Sequence, residues 1–435
     1  MEMPRPQAFP SARMVRHFMN SWPQPLALRI WGSPVGSGIS AMLVYGFLAA
    51  VFDAQHLAQS SAPYFVYLAD AFLHGQLALR VVPANTRDLV FYHGQVYLYW
   101  PPFPAVLFLP LVALLGIGVS DAPLNIAVGG LNVALVSLLL KELDAKRVVA
   151  LSEDRRAWLT AFFAFGTVHI TLAAHANVWT FAEVVAFSLV AATYLVALRF
   201  PGWRGSLAAG FLAGLAFLTR NPTIFAVTWV AWYIFWREWN TSRKGLPAIV
   251  MAGVLPALSA LGVFLLYNYA RFGNPMNVGL DYHNMSQLFR PDFARYGAFN
   301  VHYLPTNLYY YFLAFPYAAF LGDRTAPDLW MGGSLFLMSP IFSFAIWGMV
   351  RSWRSHGFAL AVSCVAGLTP ALLLMGTGWV EFGPRYTLDI TVPLLVATAL
   401  GIQRVPVGLV SRLTVYSILI YLSGTILLGH VVDLR

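Results

Sequence analysis

Eleven separate apolar runs, most of them long enough to cross hydrocarbon as a helix, confine this chain to one class of structure. They cover residues 35–53, 123–140, 157–173, 181–198, 206–219, 222–236, 247–267, 331–350, 358–376, 386–403 and 413–430. A helix of about 17–25 apolar residues spans the ~30 Å core of a bilayer and satisfies its own backbone there. Only 10% of the residues are charged and 59% are hydrophobic, whereas an ordinary soluble domain carries about 25% charged residues. The expected fold class is an all-α polytopic membrane protein, a single transmembrane domain over residues 1–435.

A twelfth run, 103–119, carries prolines at 104 and 110 and follows Pro101 and Pro102. Were it to cross, the basic cluster KELDAKR (141–147) and every later basic loop would lie opposite the basic N-terminus, against the positive-inside tendency. It is expected to be re-entrant or interfacial. The N-terminus, with Arg5, Arg13, Arg16 and Arg29 and no small-residue cleavage site after them, then reads as the cytoplasmic side of an uncleaved signal anchor. On this arrangement 18 of the 27 Lys and Arg face the cytoplasm. The protein is expected in the cytoplasmic membrane, with two long loops, 54–122 and 268–330, on the extracytoplasmic face. The net charge of +9 lies in short clusters between apolar runs, which excludes the continuous basic stripe of a nucleic-acid binder. Cys364 has no partner for a disulfide or a thiolate metal site. Internal repeats pairing the two halves, expected of many secondary transporters, are not evident.

The first loop, SSAPYFVYLADAFLHGQLALRVVPANTRDLVFYHGQVYLYWPPFP (60–104), gathers carboxylates, histidines and tyrosines outside a span. Ser60 or Ser61 before Pro63, with Gly75 at the other end, predicts an interfacial helix over 62–74. Tyr64, Tyr67, Leu68, Ala71 and Phe72 are its expected membrane-facing stripe. Tyr67, Asp70 and His74 share a second edge, either as a base or metal ligand with its neighbours or as an ordinary solvated pair. Asp88 and His93 fall in a stretch whose alternation and His-Gly turn predict a hairpin; Asp53 is a third candidate carboxylate.

Arg220 closes GLAFLTR between two runs with almost no loop, and either faces a cavity or snorkels to the headgroups. Arg385, in WVEFGPRYTLD, has Glu381 and Asp389 four residues to either side, so a self-neutralised Arg385–Asp389 pair competes with phosphate binding. The guanidinium fork suits phosphate oxygens. Arg271 opens the second loop. Asp281 and His283 could share a divalent metal with an acid of the first loop, His302 follows, and His175 and Glu183 could line the same cavity. Asn284-Met285-Ser286 matches a glycosylation sequon.

Taken together, the first span with its long outer loop and helix, GLAFLTR (214–220), RFGNP (271–275) and FGPRY (382–386) resemble the GT-C membrane glycosyltransferases. The nearest group is the bacterial family-39 type, akin to protein O-mannosyltransferases and the aminoarabinose transferase of lipid A. The resemblance implies a helical bundle with a cavity open to the outer face, a sugar donor on polyprenyl phosphate and an acidic residue opening the first-loop helix. It puts Ser60 and Ser61 where that acidic pair would stand, and Arg220 where relatives carry a basic residue contacting the lipid phosphate. Asp70 and then Asp88 are the candidates to supply the missing acid.

The expected activity is an inverting transfer of a sugar from polyprenyl phosphate to a lipid, glycan or protein acceptor. A carboxylate would act as base, Arg220, Arg385 and Arg271 would bind the phosphate, and a divalent metal is a candidate helper. Two other readings fit the same residues: a transporter or flippase of a lipid-linked substrate, and a non-catalytic relative that binds the lipid carrier.

Overall fold

The structure, a computed structural model, describes residues 30–53, 56–241, 243–314, 332–378 and 382–432. All eleven apolar runs contain helix within those bounds, and six helices are long and apolar enough to cross a membrane: Pro34–Phe52, Ala122–Ala145, Val178–Arg199, Leu246–Phe272, Trp353–Leu373 and Val407–Leu428. The other five runs are short or broken. Residues 157–173 divide at Gly166 into Glu153–Phe165 and His169–Ala174, and 222–236 into Thr223–Ala226 and Thr228–Thr241. Gly202–Phe217 ends where Asn221-Pro222 cannot continue it, Leu335–Met338 and Ser343–Arg351 are joined by a tight turn, and Arg385–Ile390 is a 3-10 turn leading into Thr391–Gly401.

Burial sorts the helices into centre and rim. The most apolar window of Val178–Arg199 is 83% buried and that of Leu246–Phe272 only 11%, so the first is the post of the bundle and the second has room to face lipid. Asn177 starts the central helix with a capping box, its Oδ1 accepting from the Thr180 backbone at 2.9 Å. Gly202–Phe217 lies so close along Leu246–Phe272 that a Cβ on Gly210 would run into the carbonyl of Gly253. Small residues allow such approach where no hydrophobic effect drives helices together.

The basic loops gather at one end. Arg199 binds Glu142 at 2.8 Å, Arg237 Nη1 donates to the Ala197 carbonyl at 2.6 Å and Arg155 Nη2 to that of Val405 at 2.9 Å. At the other end the two long loops join: the Asp88 backbone donates to Asn284 O at 3.0 Å and the Asn284 backbone to Leu89 O at 2.8 Å. Asn284 Nδ2 also reaches Thr86 O at 3.0 Å, so the sequon asparagine is spent on holding the loops together.

Phe103–Leu115 has 13 residues, about 20 Å of helix, short of a crossing. Both of its ends lie at the loop end: Phe103 N donates to Leu218 O, next to Arg220, and Gln59 Nε2 donates to the carbonyls of Ile117 and Val119. A single helix with both ends there runs along that end of the bundle rather than through it.

The first-loop helix is Tyr64–Leu73, and it differs from the expectation in two ways. Its start carries no side-chain cap, because Ser60 is engaged elsewhere: its backbone and hydroxyl donate to the Asp121 carboxylate at 2.9 and 2.6 Å. Its stripe also does not face the membrane. Tyr64, Leu68 and Ala71 are fully buried, in a core shared by Phe65, Phe108 and Phe181. The helix Phe103–Leu115, apolar all round, supplies a protein surface for a face that would otherwise seek lipid.

The predicted hairpin is present as β1, Leu89–Tyr92, and β2, Gln95–Leu98, paired antiparallel. His93 and Gly94, at φ 50° and 76°, make its two-residue turn, and positive φ at both positions suits the strand twist. Residues 1–29, with the proposed signal anchor's basic flank, and 315–331 lie outside the described residues, as does Glu381.

Candidate active site

Three chain segments bring charge to one place beside the central helix. Glu183 projects from Val178–Arg199, Arg220 from the abrupt end of Gly202–Phe217, and Arg385, Tyr386 and Asp389 from the 3-10 turn Arg385–Ile390. Arg220 Nε and Nη2 donate to Asp389 Oδ1 and Oδ2, both at 2.8 Å, a two-pronged pair. Arg220 Nη1 lies 3.3 Å from Glu183 Oε1, and Arg385 Nε lies 3.9 Å from the same oxygen. These are charge contacts without hydrogen-bond alignment, and neither Glu183 oxygen accepts a hydrogen bond from a described residue. The Tyr386 ring stands 5.2 Å from the Arg220 guanidinium carbon and 4.8 Å from that of Arg385.

The Arg385–Asp389 pair expected from i, i+4 spacing does not form. A 3-10 turn rotates ~120° per residue, so residues four apart point in different directions; Asp389 turns to Arg220, and Arg385 Nη2 donates to Gly378 O at 2.8 Å and the Tyr386 hydroxyl oxygen at 3.0 Å. Nor does Arg220 snorkel. It is a buried, paired cation whose side chain keeps 12% exposure, as Arg385 keeps 11%, whereas Glu183 keeps none and Asp389 3%.

Tyr99 links this quartet to the first loop. Burial pushes its phenol well above the ordinary range, helped by Asp88 and Tyr386 and opposed by Arg385 and Arg220, so it stands as a neutral hydroxyl among charges. Its ring packs edge-on against His283 at 5.0 Å. His283 Nε2 lies 3.0 Å from Asp88 Oδ1, and Trp179 Nε1 donates to Asp88 Oδ2 at 2.9 Å. Asp88 has φ 63°, a left-handed conformation uncommon outside glycine, though one that aspartate tolerates better than most. The interlocking of the two loops holds it there.

Asp88 with His283, and Arg220 and Arg385 with Glu183, thus form two clusters, both near enough to Tyr99 to act on its phenol. The remaining candidates stand apart from them. Asp70 is tied to Arg80 at 3.3 Å and to His74 at 3.5 Å, and shares no described partner with either cluster. Tyr67 packs in the core beneath the first-loop helix. His93 is at the exposed hairpin tip, tilted against Tyr92 with ring centroids 4.1 Å apart. His175 joins Asp53 Oδ2 at 2.8 Å and the Thr425 carbonyl at 3.1 Å, pinning the first and last spans. Arg271 is 3% exposed; it donates to Leu98 O and, at 2.7 Å, to Asn268 Oδ1, with its guanidinium 3.8 Å from the Tyr267 ring centre. All its nitrogens have neutral acceptors, and it fastens β2 to a helix end rather than presenting charge to a ligand.

Asp281 is exposed. No group of three or more His, Cys, Asp or Glu suited to a metal occurs among the described residues, and His283 Nε2 is turned to Asp88. Trp179, Tyr99, Tyr386 and Asp389 complete the site. Tyr386 and Asp389 lie in the quoted FGPRYTLD, so a motif signal existed, but nothing local marks Trp179.

No protein-family model matches the sequence, and a search of curated proteins finds no match. Among solved structures, ArnT from Cupriavidus metallidurans bound to undecaprenyl phosphate is similar over 90% of this chain and 76% of its own, at 13% identity and a TM-score of 0.49. The oligosaccharyltransferase of Archaeoglobus fulgidus in its apo form is similar over 91% of this chain at 12% identity and a TM-score of 0.43. The same organism's AglB with an inhibitory peptide and dolichol-phosphate gives 13% and 0.43. The chain spans 56% of the archaeal protein's length.

Proposed function

We propose that this protein is an inverting glycosyltransferase that moves a sugar from a polyprenyl-phosphate donor to an acceptor at the extracytoplasmic face of the membrane. The observation that supports this reading is the meeting of a base-bearing loop, Asp88 with His283, and a pair of partly accessible guanidiniums, Arg220 and Arg385, around Tyr99. One group is suited to take a proton and the other to receive a phosphate. Asp88 takes the proton of the acceptor hydroxyl as its oxygen bonds to the anomeric carbon and the bond from that carbon to the phosphate oxygen breaks. Arg220 and Arg385 stabilise the charge gathering on the departing polyprenyl phosphate, and Tyr99 donates a hydrogen bond at the boundary. A phosphate leaving group needs no acid, so one carboxylate suffices. Asp70, engaged by Arg80 and His74, is withdrawn from the base role, and Arg271 from phosphate binding.

The test is transfer from radiolabelled undecaprenyl-phosphate sugars by the purified protein in liposomes. Asp88→Asn is expected to lower turnover by ~10²- to 10⁴-fold, the usual worth of a positioned base, with donor affinity retained. Full turnover by that variant removes Asp88 from the mechanism. A fluorescent prenyl-phosphate sugar that changes leaflet without losing its sugar would favour the flippase reading instead.

A further inference from the structure

Among the described residues, the buried charges beside the central helix are two guanidiniums, Arg220 and Arg385, against two carboxylates, Glu183 and Asp389. An anion entering there adds a charge that none of these four is left to balance, in surroundings where an unbalanced charge is costly. The two carboxylates are not equivalent. Asp389 accepts two straight hydrogen bonds from Arg220 and is held as an anion. Glu183, 1% exposed, accepts none from the described residues and meets the guanidiniums only at 3.3 and 3.9 Å. It is the member that can change charge without breaking a hydrogen bond.

We infer that Glu183 is a proton-taking counter-ion: it neutralises Arg220 and Arg385 while the site is empty, and accepts a proton from solvent when a phosphodiester binds them. The inference rests on the lipid-phosphate reading above. Glu183 is then a positioning residue, which touches the guanidiniums and not the substrate. The phosphodiester takes over the charge contacts that Glu183 gives up, the net charge of the cluster stays at zero, and binding carries one proton with it. Among the described residues, the other groups facing the site are Arg220, Arg385, Tyr386 and Asp389, with Tyr99 near them. His169, on a neighbouring short helix, packs on Phe163 and Phe187 and has Tyr45 and Asn132 as its polar neighbours.

The test uses the full chain in detergent and farnesyl methyl phosphate, a phosphodiester with no ionisation of its own between pH 5.5 and 8.5. Binding is followed by calorimetry in buffers of different ionisation heat, which reads protons taken up directly. The wild type is expected to take up close to one proton above its transition, with affinity falling about tenfold per pH unit there. Glu183→Gln is expected to bind without proton uptake and with a flat pH profile, at least as tightly as the wild type at pH 5.5. Wild-type binding with no proton uptake at any pH overturns the role of Glu183 and leaves the phosphate reading standing, and this needs no folded variant. Unchanged uptake in Glu183→Gln overturns it as well. Absence of binding by the wild type throughout that range overturns both.

Discussion

Arg220 shows how a single residue is decided by its partners. Its place at the end of GLAFLTR before Asn-Pro marks it as exceptional, but a cavity and the headgroup region are equally compatible with that place. The two-pronged pair with Asp389 settles the matter. Arg220→Ala leaves two carboxylates facing only Arg385, and is expected to destabilise the protein by about 3–5 kcal/mol, the cost of breaking a buried pair, read as a lowered thermal unfolding midpoint in detergent. Adding Asp389→Asn should restore a large part of that stability without restoring donor binding; equal loss in the single and double variants would mean that the stranded Asp389 carboxylate is not what destabilises Arg220→Ala. Asp88 and His283 lie in different loops, and no local spacing joins them. Ser60 is the reverse case, a plausible cap by sequence whose hydroxyl is claimed by Asp121 from 61 residues away. Burial pushes the Asp121 carboxyl up and the Ser60 hydrogen bonds pull it down.

Among elements, the short helix Phe103–Leu115 is the one that topology turns on. Its prolines and the charge argument foretell an incomplete crossing, and the hydrogen bonds at its two ends place both at the same face. With Cys364 buried and so a quiet background, cysteines introduced as His93→Cys, at the exposed hairpin tip, and Ser120→Cys should both react with a membrane-impermeant thiol reagent added to the outer face. Labelling from opposite faces would make the segment a true span. The helices Gly202–Phe217 and Leu246–Phe272 offer a second test. Gly210→Val places a branched side chain against the Gly253 carbonyl and is expected to cost about 1–3 kcal/mol by overpacking, seen as a lower unfolding midpoint, whereas Leu261→Val at the exposed rim should change little. The Tyr64–Leu73 helix was legible as a helix with an apolar stripe. What covers that stripe was not, because an apolar face looks the same whether lipid or protein will meet it.

For the whole molecule, the positive loops and the two long loops sit at opposite ends. A cysteine at Lys146→Cys should therefore be shielded from the outer reagent that reaches position 120, and should react only after permeabilisation; reaction of both from outside would overturn the sidedness. By itself the sequence determined that this is a helical membrane protein, where its apolar runs begin and end within a few residues, and which ends of those runs share a face, since hydropathy and charge act locally and additively. It also singled out Arg220, Arg385, Glu183, Asp88 and His283. Only the tertiary structure decided that Asp88 pairs with His283 and Glu183 with Arg220 and Arg385, that Asp389 belongs to Arg220, and that Asp70, Arg271, His93 and His175 serve other contacts. Pairing between buried charges depends on directions set by a 3-10 turn, a helix end and a left-handed loop residue, and those directions exist only once the chain has closed.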